Sequence, residues 1–293
     1  MATEVRTLSG SGGGVAGLLK AALPTLPVVN QLPGVKKTGR DLPDLAVRRE
    51  DVLIERDQVS AYAAVCGFPT KDTVPVPYLH MVAFPLHMAI MTDQAFPFPA
   101  IGTVHLENRI LSHRPVAIGE TVSAVAKAEN LRTHSKGRVF DMNVTVEADG
   151  ETVWESTSTY LRIGKGDKEN GERGTEFAPV TGGAATWRLG GDLGRRYAAV
   201  SGDSNPIHLY PLTAKAFGFP RHIAHGMWTK ARAIAAIENK LPSAVQIEVG
   251  FKKPIFLPGT VTFGARPNDH GLDFAVNSAK SGAPHLLGRT TAL

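Results

Sequence analysis

An internal duplication constrains the fold of this chain more than any other feature of its sequence. Residues 62–67 read YAAVCG, and residues 197–202 read YAAVSG. Further along, residues 104–107 (VHLE) resemble residues 245–248 (VQIE), and each of these is followed by a proline and then by a glycine-threonine-valine pattern. Chance rarely gives such matches in the same order in two places. The sequence therefore predicts two diverged copies of one structural unit.

The segment 164–176 separates the two copies and is predicted to be a solvated linker. It holds four glycines and no apolar side chain, so it offers nothing that a core could bury. On this basis we divide the 293-residue chain into a leader (1–40), a first unit (41–163), the linker and a second unit (177–293). The leader is predicted to be flexible because it contains a glycine-rich stretch.

Both copies have the same predicted order of elements: a short helix, a longer apolar helix and several strands. The long helix of the second copy is predicted from 226 to 240, where apolar residues recur at helical spacing. Its counterpart, about 78–93, contains Pro85 and is predicted to kink or break there. Strands are predicted at 122–127, 139–146, 152–161, 245–249, 260–263 and 272–276. This order favours an α+β fold in which a sheet wraps around a helix.

Composition limits the cellular compartment in which the protein is expected and the kinds of molecule that it is expected to bind. The single cysteine, Cys66, permits no intrachain disulfide and favours a reducing cytoplasm. The net charge is +5, but there is no run of five basic residues and no nucleic-acid-binding motif. The apolar stretch 15–32 is interrupted by a lysine and two prolines, so it is too broken to span a bilayer. We therefore expect a cytoplasmic protein with neither a nucleic-acid nor a membrane partner.

The residues most suited to chemistry lie in segment 201–208, which reads SGDSNPIH. Proline fixes its own φ and biases the preceding residue away from helix, so Asp203 and His208 are held on a stiffened loop. A carboxylate and an imidazole aimed at one water can act as a general acid/base pair. Gly226 stands at the predicted start of the long helix, where a free N–H could stabilise an oxyanion.

Less specific interpretations of the same residues remain open at this point. Asp203 could be an ordinary turn residue, and a lone histidine such as His208 is commonly structural. His222 and His225 have metal-ligand spacing, but no third ligand is suitably spaced, so no metal site is predicted. Neither serine of the segment lies in a nucleophile elbow, which argues against a serine nucleophile.

The segment carries a family resemblance. Residues 197–208 (YAAVSGDSNPIH) followed by residues 223–227 (IAHGM) resemble the MaoC-type hydratase motif. This motif is the signature of (R)-specific enoyl-CoA hydratases, also called 3-hydroxyacyl-thioester dehydratases. The duplication is similar to the double-hotdog members of that family. The sequence departs from many relatives at residues 209–211 (LYP), because those relatives carry an acidic residue shortly after the catalytic histidine.

The resemblance implies a fold, an activity and roles for residues. Each half would be a hotdog, a long helix wrapped by an antiparallel sheet. Asp203 and His208 would be the catalytic dyad, the Gly226 N–H would polarise the thioester carbonyl, and Asn205 and His225 would support them. The chain would hydrate trans-2-enoyl thioesters, or dehydrate (R)-3-hydroxyacyl thioesters, in fatty-acid metabolism. No metal or redox cofactor would be needed. Coenzyme A or acyl carrier protein would be part of the substrate, and a homodimer would be compatible with the family.

The first copy is predicted to be catalytically inactive. Phe68 and Thr73 stand where the second copy has Asp203 and His208, and neither can replace an acid/base pair. The apolar stretch 76–90 could be plain core, or it could line a tunnel for the acyl chain. If Pro85 breaks the helix, a groove should open beside the active site.

Two further expectations concern the substrate's headgroup and the rival functions. Four basic residues near the motif or on a following strand are candidates for binding the phosphates of coenzyme A: Arg195, Arg196, Lys252 and Lys253. They could equally be solvated surface charges. The alternative functions are a hotdog thioesterase, which would need a carboxylate on the helix, and a non-catalytic acyl-thioester binding protein.

Overall fold

The computed structural model describes residues 3–8, 37–100, 102–182 and 185–293. Their strands are β1 (Glu4–Thr7), β2 (Leu45–Leu53), β3 (Thr103–Ser112), β4 (Thr121–His134), β5 (Gly137–Ala148), β6 (Glu151–Ile163), β7 (Ala185–Leu189), β8 (Val245–Phe251), β9 (Gly259–Asn268), β10 (Gly271–Ser278) and β11 (Pro284–Ala292). The helices are α1 (Arg56–Cys66), α2 (His80–Thr92), α3 (Leu193–Ser201), α4 (Pro206–Leu209), α5 (Pro211–Ala216) and α6 (Gly226–Ala235). All six predicted strands are confirmed.

The strands form one sheet whose order confirms the duplication. Across the described residues the order is β1-β2-β4-β5-β6-β3-β8-β11-β10-β9-β7. Counting outward from the β3–β8 junction, the first copy continues through β6, β5, β4 and β2, and the second through β11, β10, β9 and β7. The two copies therefore use the same strand order on either side of a central seam.

The seam is an antiparallel pairing in which equivalent residues meet. Asn108 of β3 lies opposite Val249 of β8, and Arg109 lies opposite Glu248. The sequence match of 104–107 with 245–248 makes position 108 the counterpart of position 249. A pseudo-twofold axis therefore crosses the sheet at Asn108 and Val249, which is the geometry expected when two copies of one unit pair edge to edge.

Each copy packs its long helix against its own part of the sheet. α2 packs on β2 and β4 and buries Val82, Leu86 and Ile90, whereas α6 packs on β10 and buries Ala231 and Ile234. Apolar residues at a spacing of three to four face the sheet because this spacing places them on one side of a helix. The predicted α+β double hotdog is confirmed.

Side chains from the second copy cross the seam into the first. Lys230 of α6 is fully buried, and its Nζ donates to the Asn108 Oδ1 at 2.5 Å and to the Ile247 carbonyl oxygen at 3.2 Å. The Trp228 Nε1 donates to the Val65 carbonyl oxygen of α1 at 3.0 Å. These bonds fix α6 against elements of the other copy.

Two helix predictions are wrong. α2 runs from His80 to Thr92 through Pro85 without a break. A proline removes only one intrahelical hydrogen bond, and here the packing of α2 on β2 and β4 holds the helix together. The helix of the second copy ends at Ala235 rather than at residue 240, and a separate 3₁₀ turn, Glu238–Lys240, follows it.

The leader and the linker also differ from expectation. Within the leader, Glu4–Thr7 is a strand parallel to β2 rather than flexible chain, because the edge of β2 offers it backbone hydrogen bonds. Most of the leader, including nearly all of stretch 8–14, lies outside the described residues. In the linker, Glu172 pairs with Arg132, and the Thr175 N–H donates to the Glu107 Oε1 at 2.6 Å. The linker is therefore fastened to the first copy by its polar groups, which the prediction of a solvated connection did not foresee.

Among the described residues, none of the helices has both the length and the apolar character that crossing a bilayer requires.

Candidate active site

The loop after α3 positions Asp203. α3 ends at Ser201, and Gly202 takes a left-handed φ of 74°, which turns the chain sharply. The Asn205 N–H then donates to the Asp203 Oδ1 at 3.2 Å, and the Ile207 N–H donates to the Asn205 Oδ1 at 3.4 Å. Asn205 therefore caps α4, the short helix that carries His208, and Asp203 is indeed a turn residue as well as a candidate acid/base.

His208 is oriented by a single backbone acceptor. Its Nδ1 is 2.8 Å from the Ile223 carbonyl oxygen. A carbonyl can only accept, so Nδ1 carries the proton and Nε2 keeps a lone pair. Burial is the main cause that lowers the pKa of His208 to about 3, so the ring is neutral at physiological pH. A neutral imidazole with a free lone pair can accept a proton from water.

His225 supports both members of the pair. Its ring stacks on the His208 ring with centroids 3.7 Å apart, and its Nε2 donates to the Asp203 carbonyl oxygen at 2.9 Å. Burial lowers the pKa of His225 to about 4, so it adds no positive charge at neutral pH. The stacked ring restricts how far His208 can turn, and the hydrogen bond holds the backbone of Asp203.

The acid/base atoms lie close enough to share one water. A carboxylate oxygen of Asp203, a ring nitrogen of His208 and a ring nitrogen of His225 all lie within 4.8 Å of one another. A water in hydrogen-bond contact with two such groups spans this separation. Burial raises the pKa of Asp203, and the nearby His208 and Asn205 N–H only partly offset that effect. The carboxyl group is thus shifted towards accepting a proton.

Gly226 begins α6 beside this pair. The backbone bonds of α6 start with the Thr229 N–H, which donates to the His225 carbonyl oxygen at 3.1 Å. The Gly226 N–H is therefore not used by the helix and remains available at its positive end. A Cβ on Gly226 would lie 3.1 Å from the Phe251 ring, so a larger residue would crowd this position. The arrangement can hold a carbonyl oxygen that gains negative charge.

A cavity of about 430 Å³ joins these groups to the first copy. Asp203, His208 and Gly226 line one part of it. The opposite wall comes from α2, which contributes Met81, Phe84, Pro85, Met88 and Met91. The other apolar residues of α2, such as Leu86 and Ile90, are buried against the sheet. The interpretation of stretch 76–90 as core is therefore correct for one face of the helix, and the other face lines a cavity, whose use by an acyl chain stays a prediction.

The predicted headgroup residues divide into two pairs. Lys252 and Lys253 line the cavity and are exposed to solvent. Arg195 and Arg196 do not line it, so their predicted role in binding the headgroup gains no support from the cavity and stays a prediction. Arg195 instead donates to the Leu209 carbonyl oxygen at 2.9 Å and lies over the Tyr210 ring.

Asp203, His208 and His225 also form a group of three candidate metal ligands, which sequence spacing did not reveal. We expect acid/base use rather than metal binding, because the motif resembles a family that needs no metal and because a cation on the His208 Nε2 would take up the lone pair with which this ring can accept a proton.

We therefore expect activity to be insensitive to metal removal. Dialysis against EDTA should leave kcat/KM for an enoyl thioester within twofold of the untreated protein, and adding Zn²⁺ should not raise it. Elemental analysis of the dialysed sample checks that metal is gone. A loss of activity that Zn²⁺ restores would show that the three residues hold a catalytic ion.

Comparison with known proteins agrees with the geometry. Residues 185–276 match the family described as MaoC like domain. The chain is 37% identical over 285 residues to 3-hydroxyacyl-thioester dehydratase X of Mycobacterium tuberculosis, and the match covers 96% of this chain and 98% of that protein. The chain belongs to the MaoC-like dehydratase family. The crystal structure of HtdX of M. tuberculosis superposes on this MaoC-like dehydratase with a TM-score of 0.75 at 37% identity, covering 85% of this chain and 100% of that chain.

A shorter match links the chain to a further relative. The (R)-specific enoyl-CoA hydratase of Aeromonas caviae is 37% identical over 70 residues, which is 22% of this chain and 52% of that protein. The MaoC-like site of the present chain also contains residues that sequence reasoning missed. Tyr197, Tyr160 and Phe251 line the cavity, as do His80 and His105 of the first copy. For the two histidines the only signal was their position beside apolar stretches.

Proposed function

We propose that this chain adds water to trans-2-enoyl thioesters to give (R)-3-hydroxyacyl thioesters, and catalyses the reverse dehydration. The proposal rests on one observation. Asp203, His208 and Gly226, whose N–H is not used by the helix, all line one cavity. The named relatives are a 3-hydroxyacyl-thioester dehydratase and an (R)-specific enoyl-CoA hydratase, which supports the same reaction.

Each group has a role in the hydration direction. The thioester oxygen accepts from the Gly226 N–H, at the positive end of α6. The His208 Nε2 accepts a proton from a water that Asp203 also holds, and the water oxygen bonds to C3. The electrons of the C2–C3 double bond pass towards the thioester, where Gly226 stabilises the developing charge. C2 then takes the water proton back from the protonated His208, which returns to its neutral state. The net change is the addition of one water.

The first test separates hydration from the rival functions. Purified protein is mixed with crotonyl-CoA, and the enoyl absorbance and the free thiol are followed together. Hydration removes the enoyl band without releasing thiol, a thioesterase releases thiol, and a binding protein changes neither. Chiral analysis of the product should give the (R)-3-hydroxy isomer, and an (S) product would contradict the proposed orientation of the water.

The cavity predicts a preference for longer acyl chains. Each additional buried methylene is worth about 0.8 kcal/mol, which is roughly fourfold in kcat/KM if the burial is kept in the transition state. We expect kcat/KM to rise from the crotonyl to at least the octenoyl thioester, because the wall of α2 continues to Met91. A steady decline from crotonyl upward would mean that the cavity does not receive the chain.

The headgroup is proposed to be that of coenzyme A, bound in part by Lys252 and Lys253. Acyl carrier protein is the alternative carrier. Both lysines are exposed at the cavity, where phosphates could approach. The cytoplasm is the proposed compartment, in keeping with the single cysteine, Cys66, a buried free thiol.

Neutralising this pair should raise KM for coenzyme A substrates. Lys252→Gln/Lys253→Gln is expected to raise KM roughly threefold to tenfold with little change in kcat, because exposed ion pairs are worth about 0.2–1 kcal/mol each. The effect should shrink at high salt. Lys168→Gln/Lys240→Gln changes net charge equally at exposed positions away from the cavity and should leave KM unaltered. Equal KM values for both double variants at low salt would contradict the assignment.

A further inference from the structure

A cluster of polar side chains interrupts the apolar part of the cavity wall. It consists of His80, His87, His105 and Tyr160, all from the first copy, and none of them belongs to the acid/base pair. His80, His105 and Tyr160 line the cavity. His87 lies behind them, and its Nδ1 is hydrogen-bonded to the Tyr160 hydroxyl at 3.1 Å. We call these four residues the histidine cluster.

The rings of the cluster pack against one another. His105 of β3 faces Tyr160 of β6 across the ladder, and their rings stack with centroids 4.5 Å apart. A bulge in β3 follows His105, and bulges redirect side chains at the point where they occur. His80, at the start of α2, lies edge-on to His87 at 5.4 Å and parallel to His105 at 6.4 Å.

The cluster carries unused hydrogen-bonding capacity. Within the described part of the chain, no partner is found for the Nδ1 of His80, the Nε2 of His87 or the Nε2 of His105. His80 is only 3% exposed and His87 is fully buried. Most buried polar atoms in folded proteins have a partner, so the unpartnered nitrogens of His80 and His105, two residues that line the cavity, indicate that something polar belongs there.

The protonation state of the rings limits what that group can be. Burial lowers the pKa of His80 to about 3 and holds those of His87 and His105 well below the ordinary value. Each neutral imidazole offers one N–H and one lone pair. A carboxylate or phosphate would bring charge into a buried place, and the nearby Lys230 ammonium cannot pair with it, because its three N–H groups already donate to Asn108 and to the Ile247 carbonyl oxygen. An uncharged oxygen, as in a hydroxyl or a ketone, can accept a hydrogen bond from an imidazole N–H without the cost of burying a charge.

The cluster stands on the acyl side of the reaction centre. The Phe251 ring lies directly against Gly226, and His105 lies on Phe251 with ring centroids 5.0 Å apart. From His80 the apolar face of α2 continues to Met88, eight residues and about 12 Å along the helix. An acyl chain that leaves the thioester at Gly226 and extends along α2 would therefore pass the cluster before reaching Met88.

We propose that the histidine cluster is a polar subsite that selects enoyl thioesters whose acyl chain bears an uncharged oxygen function, a hydroxyl or a ketone, beyond C3. The inference rests on the proposed hydration of enoyl thioesters and adds the class of chain that the cavity prefers. His80 and His105 hold the oxygen, and His87 and Tyr160 fix their rings. These residues set specificity and take no part in proton transfer to C2 or from water.

The test compares chains that differ by one oxygen. The trans-2-dodecenoyl thioester is assayed beside isomers that carry a single hydroxyl at each successive carbon beyond C3. For isomers hydroxylated at one or two adjacent carbons, we expect kcat/KM to be about tenfold higher than for the unsubstituted chain. For the other isomers, kcat/KM should be lower than for the unsubstituted chain. A ratio of one or less at every position would overturn the proposal, because it would mean that water alone satisfies the nitrogens.

Variants then assign the preference to the cluster. His80→Phe and His105→Phe should each bring the ratio of hydroxylated to plain substrate close to one, whereas His105→Gln, which keeps a donor and an acceptor, should retain part of it. His270→Phe changes an exposed histidine in the β9–β10 turn and should keep the wild-type ratio. A preference that survives both cluster variants would also overturn the proposal.

A binding measurement keeps the two proposals distinguishable. Calorimetry with saturated dodecanoyl-CoA and its hydroxylated isomers needs no turnover and uses only the wild-type protein. If no enoyl thioester is hydrated but the best hydroxylated isomer still binds about tenfold more tightly, the proposed reaction fails and the subsite stands. If hydration proceeds but binding and kcat/KM are indifferent to the hydroxyl, the subsite fails and the reaction stands.

Discussion

Asp203→Asn and His208→Ala are each expected to lower kcat for crotonyl-CoA hydration by about 10²–10⁴ while the protein remains folded, since a positioned general acid or base contributes about that factor. The asparagine keeps the oxygen that accepts from the Asn205 N–H but cannot take up a proton. The alanine removes the Nε2 lone pair that His208 directs at the water. Initial rates at saturating substrate, with circular dichroism of each variant, measure the effect.

Two substitutions at the protein surface serve as controls, because they remove an aspartate and a histidine that do not line the cavity. Asp269 and His270 are adjacent, exposed and in the turn between β9 and β10. Asp269→Asn and His270→Ala should retain wild-type kcat. Near wild-type turnover by either dyad variant would remove that residue from the chemistry, and an equal fall in all four variants would point to a general loss of folded protein.

Met88→Trp is expected to lower kcat/KM for the dodecenoyl thioester about 10²-fold relative to that for the crotonyl thioester. Met88 lines the cavity about 12 Å along α2 from His80, so an indole there occupies space that only a long chain uses. Excluding three or four methylenes at about 0.8 kcal/mol each accounts for that factor. The measurement is the ratio of the two kcat/KM values in each protein, which cancels differences in active concentration.

Leu212→Trp supplies the control for the added bulk. Leu212 is 80% exposed on α5 and does not line the cavity, so this variant should keep the wild-type ratio. If Met88→Trp also keeps that ratio, the acyl chain does not run along α2, and the first copy would serve only as scaffold for the catalytic half.

Features set by local sequence were predictable. A strand is predicted at 139–146, and β5 covers that segment, although Val139 and Asp141 are buried as well as Phe140 and Met142. The proline of SGDSNPIH predicts a stiffened loop; Asp203 does lie on a loop, but His208 lies on the short helix α4, which Asn205 caps. The repeat predicts two copies of one unit, and the strand order of the sheet has that symmetry.

Features that depend on packing between distant segments were not predictable. Pro85 is tolerated in α2 because strands β2 and β4 hold that helix, and no local pattern contains those contacts. Arg195 is drawn to the Leu209 carbonyl and the Tyr210 ring instead of the cavity. The histidine cluster joins α2, β3 and β6, which are far apart in sequence, so its members looked like unrelated histidines in an apolar stretch.

The contact that Lys230 makes across the seam makes the second copy dependent on the first. Its ammonium is buried, and burial pulls its pKa well below the ordinary value, so it needs the oxygens that surround it. Two of the acceptors within reach, the Asn108 Oδ1 and the Asn108 carbonyl oxygen, belong to the other copy. Without them the second copy would bury a cation that is left with only the Ile247 carbonyl oxygen, a costly state. Removing the first copy would therefore destabilise the second, even though the first has Phe68 and Thr73 where the second has Asp203 and His208.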